Sequence, residues 1–149
     1  MQYCALLTLA IVGFASAVQI KYKDCGSKGT VESVDLTPCS SPTSCSVKKG
    51  QTASVTIKFK SSENTDSNVQ TQMSAHLPTG QDVPFPSDEP DPCSNGLSCP
   101  LSAGSEYSYQ QHVVIEDSFP ALKVIAKYEL QDSSGNDIIC FMFPIQIED

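Results

Sequence analysis

The stretch Thr52-Ala53-Ser54-Val55-Thr56-Ile57-Lys58-Phe59-Lys60 decides how this chain is read. Ala53, Val55, Ile57 and Phe59 fall on one side of an extended backbone, and Thr52, Ser54, Thr56, Lys58 and Lys60 fall on the other. That two-residue period is the mark of a strand with one buried and one wet face. The same alternation returns at Leu122, Val124, Ala126, Tyr128 and Leu130 against Lys123, Lys127 and Glu129, with Ile125 out of place on the polar side. A third run, 138–147, points Ile139, Phe141, Phe143, Ile145 and Ile147 one way. Its Pro144 has no amide hydrogen to give to a neighbour, which predicts an edge position or a bulge. Weaker runs at 20–23, 31–36, 69–77 and 107–115 bring the total to about seven strands. The segments between them, at 26–29, 38–44, 61–68, 84–100 and 132–136, are rich in Gly, Pro, Ser and Asn and read as turns. No stretch sustains helical periodicity, so the fold class is all-β, an immunoglobulin-like sandwich of about seven strands. The chain has no Trp, so the Cys-Trp-Cys core of true immunoglobulin domains is missing.

A length of 149 residues fits one domain, and 40% hydrophobic residues suffice for a core. Net charge is -8, with nine Lys, no Arg and no basic run. A chain of this kind cannot neutralise a row of phosphates, which excludes nucleic acid as a partner. Residues 1–17 carry no charged side chain, and the apolar run 5–15 is too short to span a bilayer as a helix. Ala15-Ser16-Ala17 matches a small-residue cleavage site, so 1–17 is read as a secretory signal and 18–149 as the mature domain. Removing the signal takes Cys4 with it and leaves six of the seven Cys, an even set in an oxidising compartment. Local closure of Cys39 with Cys45 and of Cys93 with Cys99 is the least costly pairing. It leaves Cys25 and Cys140 to staple the first and last strands, although six cysteines admit many other connectivities. Without a Cys-x-x-Cys spacing, zinc is disfavoured.

The candidates for catalysis are weak. His76 and His112 have no Cys, Asp or Glu at metal-ligand spacing on the same strand face, and no Gly-x-Ser-x-Gly elbow occurs. Asp88, Glu89 and Asp91 are interrupted by prolines and lack the calcium-loop pattern. Glu116 and Asp117, adjacent along an extended chain, face opposite ways. No enzyme activity, metal or cofactor is expected. More informative are two proline-braced aromatics, Val83-Pro84-Phe85-Pro86 and Ser118-Phe119-Pro120. Proline stiffens the backbone around each ring, which suits a frame for an apolar mouth. On the residues alone, ordinary loop packing is the preferred account.

A set of ordered motifs reverses that preference. Lys23-Asp24-Cys25-Gly26-Ser27, Pro38-Cys39 with Cys45, Val83-Pro84-Phe85-Pro86, Glu89-Pro90-Asp91 and Cys99-Pro100 are followed by Tyr107-Ser108-Tyr109, Phe119-Pro120, Tyr128-Glu129-Leu130-Gln131-Asp132 and Pro144-Ile145-Gln146-Ile147. Together they resemble the ML lipid-recognition family over essentially the whole mature chain. The resemblance implies a sandwich with an apolar tunnel between its sheets and disulfides Cys25 to Cys140, Cys39 to Cys45 and Cys93 to Cys99. It assigns lipid contact to Val83, Phe85, Ile115, Phe119 and Pro120. Leu36, Val55, Tyr128, Leu130, Phe141 and Phe143 form a deeper wall. The implied function is that of a monomeric carrier, secreted or resident in the endosome–lysosome lumen, which binds a sterol or fatty acid and passes it to a membrane surface or membrane receptor. The alternative within the same family is a fatty-acid, semiochemical or bacterial-lipid binding module. Two departures stand out. Tyr128 and Phe141 occupy positions where mammalian members carry Trp, and Glu32 and Glu116 stand where those members carry Lys near the entrance. No Asn-x-Ser/Thr sequon is present.

Overall fold

The computed structural model of the chain describes residues 17–85, 87 and 89–149. The predicted secretory signal, except Ala17, lies outside the described residues, as do Pro86 and Asp88. Among the described residues the chain forms ten strands: β1 (Val18–Gln19), β2 (Lys23–Asp24), β3 (Thr30–Thr37), β4 (Ser46–Lys48), β5 (Thr52–Lys60), β6 (Gln70–His76), β7 (Asp82–Pro84), β8 (Glu106–Val114), β9 (Lys123–Gln131) and β10 (Asp137–Glu148). A single 3-10 turn spans Pro92–Ser94. Each of the runs expected from the sequence is a strand except 20–23, where Ile20, Lys21 and Tyr22 lie between β1 and β2 and only Lys23 is in a strand. The count differs also because β4 and β7, three residues each, are too short to display a period.

Two sheets face each other. One has the order β1-β3-β5-β8; the other has the order β2-β10-β9-β6-β7, with β4 running parallel to β10. In β5 the odd-numbered residues Ala53, Val55, Ile57 and Phe59 are all buried, as the alternation requires. They meet the buried faces of β9 (Val124, Ala126, Tyr128, Leu130) and β10 (Phe141, Phe143, Ile145, Ile147) in one contiguous core. Side chains stacked between two antiparallel sheets in this way make the sandwich of the sequence expectation. Ile125, the odd residue on the polar side, is indeed exposed.

Pro144 sits in the middle of β10 opposite Ile125 of β9, so β10 is a central strand and not an edge. Its other side explains the tolerance. Cys25 and Gly29 donate to the carbonyls of Cys140 and Ile138, and Gln146 donates to the carbonyl of Cys45. Even-numbered residues of β10 therefore turn their backbone groups toward β2 and β4. Those two strands pair only with 141–142 and 146–148, and the missing amide hydrogen of Pro144 falls in the gap between them.

Among the described residues three disulfides are present, Cys25–Cys140, Cys39–Cys45 and Cys93–Cys99, the pairing expected above. The first ties the segment after β2 to β10, and Ser27 reinforces it by bonding both backbone groups of Cys140. Gly29 makes this crossing possible, since a Cβ there would collide with the backbone carbonyl of Lys60.

Candidate functional site, an apolar cavity and its mouth

Three alanines on the inner faces, Ala53 of β5, Ala75 of β6 and Ala126 of β9, stand where the remaining positions carry larger side chains. Ala75 and Ala126 are direct cross-strand partners, and Ala126 is in turn opposite Phe143. Methyl groups in these places cannot fill the space between sheets about 10 Å apart. An inner cavity of about 40 Å³ results, walled by Leu36, Val47, Ala53, Val55, Met73, Phe85, Val113, Ile115, Ala126, Phe143, Ile145 and Ile147. Not one of these side chains is charged, and none offers a strong hydrogen-bonding atom.

A second, wider chamber of about 280 Å³ lies outside it, between Ala75, Leu77, Val83, Pro84, Phe85, Phe119, Pro120, Leu122, Val124 and Ile147. Phe85 and Ile147 belong to both chambers, so they form the partition. The two braced aromatics meet here, with the Phe85 and Phe119 rings 5.2 Å apart and tilted at 59°. Phe85 is placed by its amide, which donates to the Met73 carbonyl at 2.9 Å, and Phe119 by a turn in which its amide donates to Glu116 at 3.1 Å. Val83, 42% exposed, stands at the rim.

Of the positions assigned from the family resemblance, Leu36, Val55, Phe85, Ile115 and Phe143 border the inner cavity, and Val83, Phe119 and Pro120 border the outer chamber. Tyr128, Leu130 and Phe141 border neither. They are packed solid behind it, with Tyr128 stacked on Phe141 at 5.1 Å and Phe141 on Phe143 at 6.0 Å. Met73, Val113 and Ala126, also on the cavity wall, are not among the lipid-contact positions assigned from the resemblance, although each lies in phase with an inward-facing run. What the sequence did not display is that small residues from three strands converge. Glu116 opens the turn that carries Phe119, beside the mouth. Glu32 does not lie there. It neighbours Glu106 at the start of β8, the opposite end from the mouth, and hydrogen bonding to Glu106 is the first cause holding its carboxyl above the ordinary range.

Beyond the apolar wall the interior turns polar. Tyr109, on the inner face of β8, donates to Gln111 Oε1 at 3.0 Å. The amide nitrogen of Gln111, fully buried, donates to Ser87 Oγ at 3.1 Å and to the His112 and Glu89 carbonyls. Burial first, then the charges of Glu89 and Asp91, push the Tyr109 phenol up to about 12. Burial first, then the neighbouring Tyr109, raises the Tyr128 phenol as well, and its hydroxyl has no hydrogen-bond partner among the described residues. Ser87, Glu89 and Pro90 bond to both sheets: the Thr71 amide of β6 donates to the Pro90 carbonyl, while Ser87 and Glu89 accept from Gln111 and His112 of β8.

At the rim, His76 Nδ1 and Asp82 Oδ1 are 2.7 Å apart and Lys127 Nζ reaches Asp82 Oδ2 at 3.4 Å, tying β7 to its neighbours. The hydrogen bond from His76 chiefly, opposed by burial and aided by Lys127, holds the Asp82 carboxyl below the ordinary range. Among the described residues one group has the spacing to hold a metal, Glu129, Asp137 and Cys140. The Cys140 sulfur is in a disulfide and offers no thiolate.

Comparison with known proteins agrees with this geometry. The family model described as ML domain matches residues 19–147. "NPC intracellular cholesterol transporter 2" of Mus musculus is 37% identical over 144 residues, covering 95% of this chain and 94% of the relative. "NPC intracellular cholesterol transporter 2 homolog a" of Drosophila melanogaster is 34% identical over 151 residues, covering 99% of each. Among solved structures, a Niemann-Pick type C2 protein from Japanese carpenter ant superposes with a TM-score of 0.79 at 28% identity, covering 87% of this chain and all of the other.

Proposed function

Because the chain belongs to the ML-domain family, whose model spans 19–147, we propose that it is a non-enzymatic carrier of a sterol or similar lipid, secreted or held in the endolysosomal lumen. The observation that carries this reading is the pair of chambers, apolar throughout and separated only by Phe85 and Ile147. Residues 18–149 are the working domain and 1–17 the signal that exports it. The three disulfides suit an oxidising compartment.

The inner cavity at about 40 Å³ is far smaller than the roughly 300 Å³ at which ligand pockets begin. Lipid entry therefore means that the Phe85 and Phe119 rings swing aside and the two chambers merge. Burial of roughly 400 Å² of lipid surface yields about 10 kcal/mol gross. Immobilising the ligand costs about 4 kcal/mol or more, which leaves at most about 6 kcal/mol, a dissociation constant of tens of micromolar, so tighter binding requires the merged chambers to bury more of the lipid. The attraction has no direction, so shape and length govern selection, and a slender fatty acid or semiochemical is the second reading. The narrowness of the inner cavity favours it.

Transfer to anionic membranes is supported by the outer face of the β9–β10 sheet. There Ile125 and Pro144 form an apolar strip flanked by Lys21, Lys23 and Lys123, which make no ion pair among the described residues. Leu77 and Val124 join this strip to the mouth. In a chain of net charge -8, such a face orients the mouth toward negative headgroups. The test is native mass spectrometry of delipidated protein exposed to mixed sterols and fatty acids. One lipid per chain is expected, and a chain that stays empty overturns the reading.

A further inference from the structure

The apolar lining stops at one level of the sandwich. On β3, β5 and β8 the wall residues Leu36, Val55 and Val113 give way, two positions further in, to Val34, Ile57 and Gln111, which border neither chamber. On the opposing sheet Met73, Ala126 and Phe143 give way in the same manner to Thr71, Tyr128 and Phe141. The residues behind this level are buried, and they are fastened. Gln111 is held by Tyr109 and Ser87, and the Thr71 amide by the Pro90 carbonyl. The Phe141 ring lies 5.1 Å from that of Tyr128 and 5.8 Å from that of Tyr22. One residue projects past its neighbours. Met73 is the cross-strand partner of Tyr128, which is in turn opposite Phe141, and in that row Met73 alone reaches the cavity. It is also the one long unbranched side chain in a lining otherwise made of Ala, Val, Leu, Ile and Phe, and a flexible thioether follows the shape of whatever lies against it. Its carbonyl accepts from the Phe85 amide at 2.9 Å, so floor and partition are joined by one backbone hydrogen bond.

We infer that Met73 is the floor of the lipid site and sets the longest chain that the protein buries completely. This rests on the carrier reading and adds a length limit to it. From Leu122, which precedes β9 in the wall of the outer chamber, to Tyr128 behind the floor, the extended backbone covers roughly 20 Å at about 3.4 Å per residue. An extended palmitate has about that length. A shorter chain leaves space above Met73 that no apolar group fills. A longer one cannot pass the fastened row behind Met73, so its surplus methylenes emerge at the mouth into water, where they gain nothing.

The experiment is displacement of a fluorescent sterol from the delipidated protein by cholesterol and by saturated fatty acids of increasing length: laurate, myristate, palmitate, stearate and arachidate. In the wild-type protein each methylene added up to palmitate should tighten binding about fourfold, and arachidate should bind within about twofold of palmitate. Met73→Ala lowers the floor, so stearate should bind about tenfold more tightly than palmitate. Met73→Phe raises it, so palmitate should bind within about twofold of myristate. Affinity that climbs through arachidate in the wild-type protein, or a plateau that stays at palmitate in either variant, overturns the inference and leaves the carrier reading standing. Urea denaturation establishes that each variant is folded; where one is not, the wild-type series and the other variant decide by the same criteria. Binding of cholesterol without any of the acids also overturns the inference alone, and a protein that binds neither overturns both.

Discussion

Ala126→Val is expected to stabilise the empty protein and loosen its hold on lipid in a single step. Ala126 is 3% exposed, sits between Ala75 and Phe143 on the inner sheet face, and borders a cavity of about 40 Å³. At about 24 cal/mol per Å³ an empty space of that size costs about 1 kcal/mol. Two added methyl groups occupy much of it in a strand where valine is favoured. The expected gain is about 1 kcal/mol, less any strain from imperfect fit. In urea this moves the midpoint up by roughly 0.3 to 1 M for a slope of about 1–3 kcal/mol/M. The same methyl groups stand where the lipid's inner portion must lie, so sterol affinity should fall about tenfold, the equivalent of about 1.4 kcal/mol. Denaturation of delipidated protein and displacement of a fluorescent sterol measure the two effects. A midpoint that falls by more than 1 kcal/mol equivalent would show that the space is already filled. A midpoint that rises with affinity unchanged would show that the lipid does not use this cavity. Either outcome refutes the reasoning.

Phe119→Ala removes one of the two aromatic rings that meet at the mouth and should raise the lipid off-rate severalfold with a stability change under about 1.5 kcal/mol, because Phe119 is only half-buried; stopped-flow release checks it, and an unchanged off-rate removes Phe119 from the gate. Replacing Lys21, Lys23 and Lys123 together by Gln should slow transfer to anionic vesicles and abolish its salt dependence while leaving lipid affinity unaltered; equal transfer rates would place docking elsewhere. Cys25→Ser with Cys140→Ser opens a closure of 115 residues and should cost up to nearly 5 kcal/mol on chain entropy, read by the urea midpoint; a loss below 1 kcal/mol would contradict that account. The Asp82 carboxyl is held below its unfolded value of about 3.9. Its tether to His76 and Lys127 therefore contributes stability above that value and loses it as pH falls through the lower folded one. Hydrogen exchange at Val83 should be alike at pH 7 and pH 5 once corrected for intrinsic rates, and protection should weaken only below about pH 4; a large change between pH 7 and pH 5 would assign the tether to another group.

The strands were legible because a sheet with one buried face imposes a period of two on any sequence that forms it. β5, β9 and β10 announce themselves in Ala53 to Phe59, Val124 to Leu130 and Ile139 to Ile147. The mouth was legible in part, since proline beside Phe85 and Phe119 constrains the local backbone whatever the remainder of the chain does. β4 and β7 were not, because three residues carry no period, and Pro144 misled because an unpaired gap inside a sheet looks, from sequence, like an edge.

By itself the sequence determined which residues face inward, that residues 18–149 carry an even set of cysteines, and which motifs it shares with its family; these are local or pairwise properties of the chain. Only the tertiary structure decided that Ala53, Ala75 and Ala126, distant in sequence, converge to leave a cavity, that Tyr128 and Phe141 pack behind its wall, that Glu32 lies far from the mouth, and that one buried hydroxyl has no partner among the described residues. The reason is physical: a void or an unpaired group is the difference between space available and atoms supplied, and that difference exists only once strands from both sheets are in register.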